Sequence, residues 1–136
     1  SGGRDLRKLK KMAAWYPNIV FTDWQTEEEI QDLVGRAIAT IYIPIDEDFG
    51  MSPVESMAAG KPVISVDEGG PAESIIHGET GLLCKKNIDV DELIGAVHQV
   101  SSVWASSKSA ACIERAKYFS DKRFYERIEP FLDESA

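Results

Sequence analysis

The stretch IPIDEDFGMSPVESMAAG, residues 43–60, constrains the fold of this chain more than any other. An apolar, β-rich run at 41–45 ends in an acidic loop, and the chain re-enters a helix at Ser52. We expect Ser52 to cap this helix, Pro53 to occupy its first position and Gly60 to end it. The stretch therefore predicts a strand, a tight turn and a helix whose free N–H groups and positive dipole end point toward the loop.

Two glutamates frame this loop. Glu47 stands at the end of the strand, and Glu55 stands one turn into the helix, eight positions later. Carboxylates accept hydrogen bonds from hydroxyl groups, while a helix N-terminus binds anions. The arrangement suits a phosphate ester with hydroxyl-rich groups on both sides. For Glu55 a purely structural role stays open, because Ser52 and Glu55 also form the Ser-x-x-Glu pattern of a capping box.

Composition limits the class of protein. With 136 residues and 43% hydrophobic content, residues 1–136 are expected to form a single globular domain. The net charge of −8 argues against a nucleic-acid partner, and no apolar run approaches the roughly 18 residues of a membrane span. Cys84 and Cys112 are far apart without a metal-like spacing, so we expect reduced, structural thiols, no metal site and a cytoplasmic protein.

Helical and strand patterns alternate along the chain. Helices are predicted near 5–15, after a Thr26/Glu29 capping box, and at 71–76; strands are predicted at 19–22, 39–45, 62–66 and 82–84. This alternation predicts an α/β fold with a doubly wound parallel sheet. Ligands bind beyond the carboxyl ends of the strands in such sheets, and residues 47–52 would lie there. No G-x-G-x-x-G or P-loop motif supports a dinucleotide or Walker-type site.

The run EDFGMSPVESMAAGKPVISVDEGGPAESIIHGETGLL resembles the donor-binding core of family 4 retaining glycosyltransferases of the GT-B fold. The shared features are the two glutamates around an FG turn, the Met-Ala-Ala and Gly-x-Pro-Val-Ile segments, the Gly-Gly turn and the final G-x-x-G-L. The upstream segments NIVFTDW and TEEEIQDLV also resemble the family, so the similarity covers most of residues 5–100. The form EDFGxxPVE is similar to a branch that includes mannosyltransferases of surface-polysaccharide assembly. The resemblance implies the Rossmann-like C-terminal half of a GT-B enzyme.

The resemblance also implies residue roles. Glu47 would act at the catalytic centre by binding hydroxyls of the donor sugar, and Glu55 would bind the ribose of the nucleotide. Backbone N–H groups would hold sugar and diphosphate at Phe49, Gly50, Met51 and Ser52, in agreement with the helix-start argument. The loop at Trp24 and Gln25 would border the nucleobase, although Trp24 could instead belong to the core.

The resemblance implies transfer of a hexose, with mannose suggested by the finer motif, from a nucleotide-diphosphate sugar to a glycan or lipid-linked acceptor. No cofactor beyond this donor substrate is expected. The family's donor domain begins with strands that carry an Arg and a Lys for the diphosphate, and it follows an acceptor-binding domain. This chain is expected to lack both and to be inactive alone, with membrane-peripheral attachment open for the full-length protein. A non-catalytic nucleotide-sugar-binding module and a GT-B nucleotide-sugar epimerase remain as alternatives.

Overall fold

The computed structural model of the protein describes residues 5–133, and the chain divides into two compact units between Asp32 and Leu33. In the first unit, helix α1 spans Leu6–Ala13, and helix α2, Glu27–Arg36, begins there and crosses the division. The predicted capping box starts α2: the Thr26 N–H donates to Glu29 Oε2 at 2.7 Å, and the Glu29 N–H donates to Thr26 Oγ1 at 3.2 Å. This prediction is confirmed.

The strand predicted at 19–22 is wrong. These residues have no regular structure, and Ile19 and Val20 are 48% and 79% exposed. A strand is stabilised by hydrogen bonds and side-chain contacts with a neighbouring strand. Within residues 5–32 no second extended segment pairs with this run, so its β-rich composition is not sufficient to make a strand.

The second unit is built on a parallel sheet with the strand order β1-β2-β3. The strands are β1, Thr40–Ile41, β2, Val63–Val66, and β3, Gly81–Cys84. Helix α3, Met51–Ala58, connects β1 to β2, and α4, Gly69–Ser74, connects β2 to β3. Three helices follow: α5, Val90–Gln99, α6, Ser102–Lys117, and α7, Asp121–Asp133.

The central strand β2 divides the core into two layers. Val63 packs in a cluster with Val54 and Met57 of α3 and Cys112 of α6. The next residue, Ile64, packs in a second cluster that includes Ala96 of α5. Successive side chains of a strand point to opposite faces, so helices cover both faces of the sheet. The predicted α/β doubly wound parallel fold is confirmed.

Helix α3 ends as predicted but begins earlier. Gly60 has a φ of +72° and donates its N–H to the Met57 carbonyl at 2.9 Å, while the Lys61 N–H reaches the Ser56 carbonyl at 3.0 Å. This is a Schellman end. At the other end the residue before the helix is Gly50, with φ 72° and ψ 101°, and no side chain caps it. The Ser52 cap is therefore wrong, because the turn at Gly50 starts the helix at Met51.

Both cysteines are free and buried, as predicted. Burial raises the pKa of the Cys112 thiol to about 11. The pKa of Cys84 is also raised, first by burial and then by the negative charge of Glu92. Among the helices within residues 5–133, none combines the length and apolarity needed to cross a membrane.

Candidate functional site

The carboxyl ends of β1 and β2 lie at the same edge of the sheet because the two strands are parallel. Beyond β1, residues 42–50 form an irregular loop that enters α3, and beyond β2 a short turn enters α4 at Gly69. The helix was predicted to start at Pro71, and it begins two residues earlier. Two loops and two helix starts therefore meet at the edge where α/β sheets bind ligands.

Glu47 is held at both its side chain and its backbone. The Tyr42 hydroxyl donates to Glu47 Oε2 at 2.9 Å, and the Glu47 carbonyl accepts from the Gly70 N–H at 3.2 Å. The hydrogen bond to Glu47 raises the pKa of Tyr42, and burial and the charge of Glu47 raise it further. The half-buried carboxylate is therefore fixed at the sheet edge rather than free in solvent.

Glycines allow the two loops to approach closely. A Cβ atom on Gly70 would overlap the backbone of Phe49, and one on Gly69 would meet the carbonyl oxygen of Glu47. At Gly50 a Cβ would lie 3.1 Å from Tyr42 Cε1 and 3.2 Å from Glu47 Cγ. Gly50 also has a positive φ, which side chains disfavour. Gly69 and Gly70 thus require glycine because another loop lies against them, and Gly50 requires it mainly because of its positive φ.

The start of α3 offers backbone donors. Across residues 5–133, no backbone or side-chain acceptor contacts the N–H groups of Phe49, Gly50, Met51 or Ser52. Such groups, with the positive end of the helix dipole, stabilise an anion. The four N–H groups predicted to hold sugar and diphosphate are thus available for a ligand.

The structure places further residues behind the loop that sequence reasoning missed. The Phe49 ring meets Phe119 edge-on, with 5.7 Å between ring centroids. Arg115 of α6 stacks on Phe119 at 4.9 Å and donates to the carbonyls of Ser74 at 2.9 Å and Glu73 at 2.6 Å. A cavity of about 860 Å³ borders this cluster. No sequence signal joins Arg115 to α4, because the contact spans about 40 positions.

Glu55 is exposed on α3, and its capping role is wrong. Ser52 lies inside the first turn of α3, so the Ser52/Glu55 capping box is not formed. Nothing within the described part of the chain hydrogen-bonds to the Glu55 carboxylate. The binding interpretation of Glu55 therefore remains as a prediction.

Trp24 and Gln25 lie in the first unit, in a loop before α2. Trp24 is 84% exposed, so the alternative that it belongs to the core is wrong. Gln25 Nε2 donates to the Trp24 carbonyl at 3.1 Å. Their role beside a nucleobase stays a prediction. As for metals, the described residues include no group of three His, Cys, Asp or Glu side chains that could hold an ion.

Comparison with known proteins decides the family. The model of a family described as "Glycosyl transferases group 1" matches residues 1–119. The chain belongs to this family. Among curated relatives, the alpha-1,3/1,6-mannosyltransferase ALG2 of Dictyostelium discoideum is 41% identical over 86 residues, which are 61% of this chain and 20% of that protein.

Solved structures share the fold of this chain. The sucrose-phosphate synthase of Thermosynechococcus elongatus has a TM-score of 0.75 at 24% identity, covering 100% of this chain and 36% of that one. Anabaena HepE, in complex with UDP-glucose, has a TM-score of 0.73 at 22% identity, covering 96% and 36%. The fold is that of the Rossmann-like half of a GT-B glycosyltransferase. The chain spans about a third or less of the length of these relatives.

Because the loop after β1 lies against the start of α4, a glycine-to-alanine substitution should have opposite effects on stability at two positions. Gly70→Ala should lower the free energy of unfolding of the chain by about 1–3 kcal/mol, because the methyl group would overlap the Phe49 backbone. Gly95→Ala in α5 meets nothing within 4 Å and should raise it by about 0.5–1 kcal/mol. Urea unfolding of both variants measures this. Equal stability of the two variants would contradict the described contact.

Proposed function

We propose that the protein carrying this chain is a retaining glycosyltransferase that moves a hexose from a nucleotide-diphosphate sugar to a glycan or lipid-linked acceptor. This chain would hold the donor. One observation carries the proposal: the fixed carboxylate of Glu47 and the free N–H groups at the start of α3 belong to the same short loop. A sugar phosphate requires an acceptor for the hydrogen bonds of its hydroxyl groups directly beside N–H donors for its phosphate oxygens.

The proposed roles follow the chemistry of each group. Glu47 binds hydroxyls of the transferred sugar, and the N–H groups of 49–52 bind sugar and diphosphate. When the sugar leaves, charge grows on the diphosphate, and oriented N–H groups stabilise such charge in a transition state. Glu55 binds the ribose, and Trp24 and Gln25 border the base. The reaction uses no cofactor and no metal in this proposal.

Mannose is the proposed sugar. The EDFG-x-x-PVE form of the motif supports it, as does the name of the Dictyostelium relative, a mannosyltransferase. The HepE structure holds UDP-glucose, so a glucose donor is the natural competitor in an assay. Titrating GDP-mannose, UDP-glucose and UDP-GlcNAc against the complete protein, with hydrolysis monitored, would test the assignment. The preference for GDP-mannose is expected, and tight binding of UDP-glucose alone would overturn it.

The remaining expectations belong to the same proposal. The acceptor would be bound by parts of the protein outside this chain, and the chain by itself would be an inactive portion. A cytoplasmic enzyme, attached peripherally to a membrane, would meet a lipid-linked acceptor there. The relatives named above are transferases or synthases, and they give no support to a binding module or an epimerase.

Removal of the Glu47 carboxylate should abolish most of the activity. In the complete protein, Glu47→Ala should lower kcat/KM by roughly 10- to 150-fold, because a hydrogen bond to a charged group contributes about 1.5–3 kcal/mol. Asp48→Ala removes the neighbouring exposed carboxylate and is the matched control. An initial-rate assay compares both. Unchanged turnover in the Glu47 variant would reject its role.

If Glu55 binds the ribose, its substitution should change the affinity for the nucleotide without changing the stability of the chain. Glu55→Gln should weaken binding of the nucleoside diphosphate by roughly 3- to 10-fold, since a charged acceptor for ribose hydroxyls becomes neutral. The melting temperature should barely move, because the carboxylate is exposed and caps nothing. Glu79→Gln, before the amino end of β3, is the control at the opposite edge of the sheet. Calorimetry of both variants with GDP and UDP measures the affinities; equal values would leave Glu55 without a binding role.

A further inference from the structure

We propose that Tyr42 is a positioning residue that orients the Glu47 carboxylate toward the donor sugar. This inference rests on the function proposed above. It adds a residue that lies outside the motif and that the sequence pattern did not single out. Tyr42 would act through Glu47 and would not itself touch the substrate.

The backbone of Tyr42 is tied to the central strand. Its N–H donates to the Ile64 carbonyl at 2.9 Å, and its own carbonyl accepts from Ser65 Oγ at 2.5 Å. Ser65 is fully buried in β2, and among the described residues no other donor hydrogen-bonds to the Tyr42 carbonyl. Tyr42 is therefore held at both backbone polar groups, although the β1 ladder has already ended at Ile41.

Packing also holds the ring of Tyr42. It packs against the core cluster that contains Val54 and Met57 of α3 and Val63 of β2. Its edge also backs Gly50, where an added Cβ would lie 3.1 Å from Cε1 and 3.4 Å from the hydroxyl oxygen. With backbone and ring fixed, the hydroxyl has a set position relative to both the sheet and the start of α3.

This hydroxyl is the one side-chain group, within residues 5–133, that hydrogen-bonds to Glu47. A free glutamate side chain samples many rotamers, and ordering it costs conformational entropy. The hydrogen bond from Tyr42 to Oε2 orders the Glu47 side chain before the nucleotide sugar binds, and it leaves Oε1 for a sugar hydroxyl. Because the pKa of Tyr42 is raised, the hydroxyl stays protonated and remains a donor at neutral pH.

The test distinguishes an effect on sugar binding from an effect on nucleotide binding. In the complete protein, Tyr42→Phe keeps the ring and removes only the hydroxyl, and kcat/KM for GDP-mannose or UDP-glucose should fall roughly 5- to 50-fold. Affinity for the matching diphosphate, GDP or UDP, should stay within about twofold, because Glu47 contacts only the sugar. Tyr125→Phe, on the exposed face of α7, is the control and should change neither value. Equal losses for nucleotide sugar and nucleoside diphosphate would show a general structural effect and overturn the proposal.

A double-mutant cycle then asks whether Tyr42 acts through Glu47. Residues that act through one another are non-additive, so Tyr42→Phe should lower kcat/KM by less than twofold once Glu47→Ala is present. If the separate effects of the two substitutions on kcat/KM instead multiply in the double variant, the inference is overturned. If Glu47→Ala is damaging and Tyr42→Phe is silent, this inference fails and the proposed function stands. If Glu47→Ala itself is silent, the proposed role of the site fails first and this inference fails with it.

Discussion

The contact between the loop after β1 and the start of α4 is the constraint on which the site depends. The Gly70 N–H donates to the Glu47 carbonyl, and Gly69 and Gly70 lie so close to residues 47–49 that no side chain fits between them. On the other side Tyr42 holds the Glu47 carboxylate. The loop is thus fixed by α4 on one side and by the residue that follows β1 on the other, and α3 begins from a defined point. Within residues 5–133 no acceptor hydrogen-bonds to the N–H groups of 49–52.

Charge explains why backbone groups matter here. The chain has a net charge of −8, and the loop itself is acidic. A nucleotide diphosphate would therefore be bound against the overall field of the chain, and the neutral N–H groups of a helix start are the local means to do so. One helix terminus contributes about 0.3–2 kcal/mol, whereas micromolar affinity needs about 8 kcal/mol. In the proposed function, the ribose, base and sugar contacts and cationic groups elsewhere in the protein provide the difference.

Local patterns predicted much of this structure, and tertiary contacts decided the rest. The apolar run of β2, the Thr26/Glu29 capping box and the glycine after α3 were readable because each depends on neighbours in sequence. The start of α3 was misplaced because Gly50 adopts a positive φ and the helix begins directly after it, at Met51, which the Ser52–Pro53 pattern does not indicate. The hydrogen bond from Tyr42 to Glu47 and the contacts of Arg115 with α4 required the folded chain, since no spacing rule connects those residues.

The central claim is that the loop from Glu47 to Ser52 binds the sugar and diphosphate of a nucleotide sugar. A crystal structure of the complete protein with GDP-mannose or UDP-glucose tests it most directly. The account predicts a sugar hydroxyl within hydrogen-bond distance of Glu47 Oε1, with Tyr42 still bonded to Oε2 and phosphate oxygens at the N–H groups of 49–52. A well-defined nucleotide sugar that leaves Glu47 and the start of α3 without contact would contradict it.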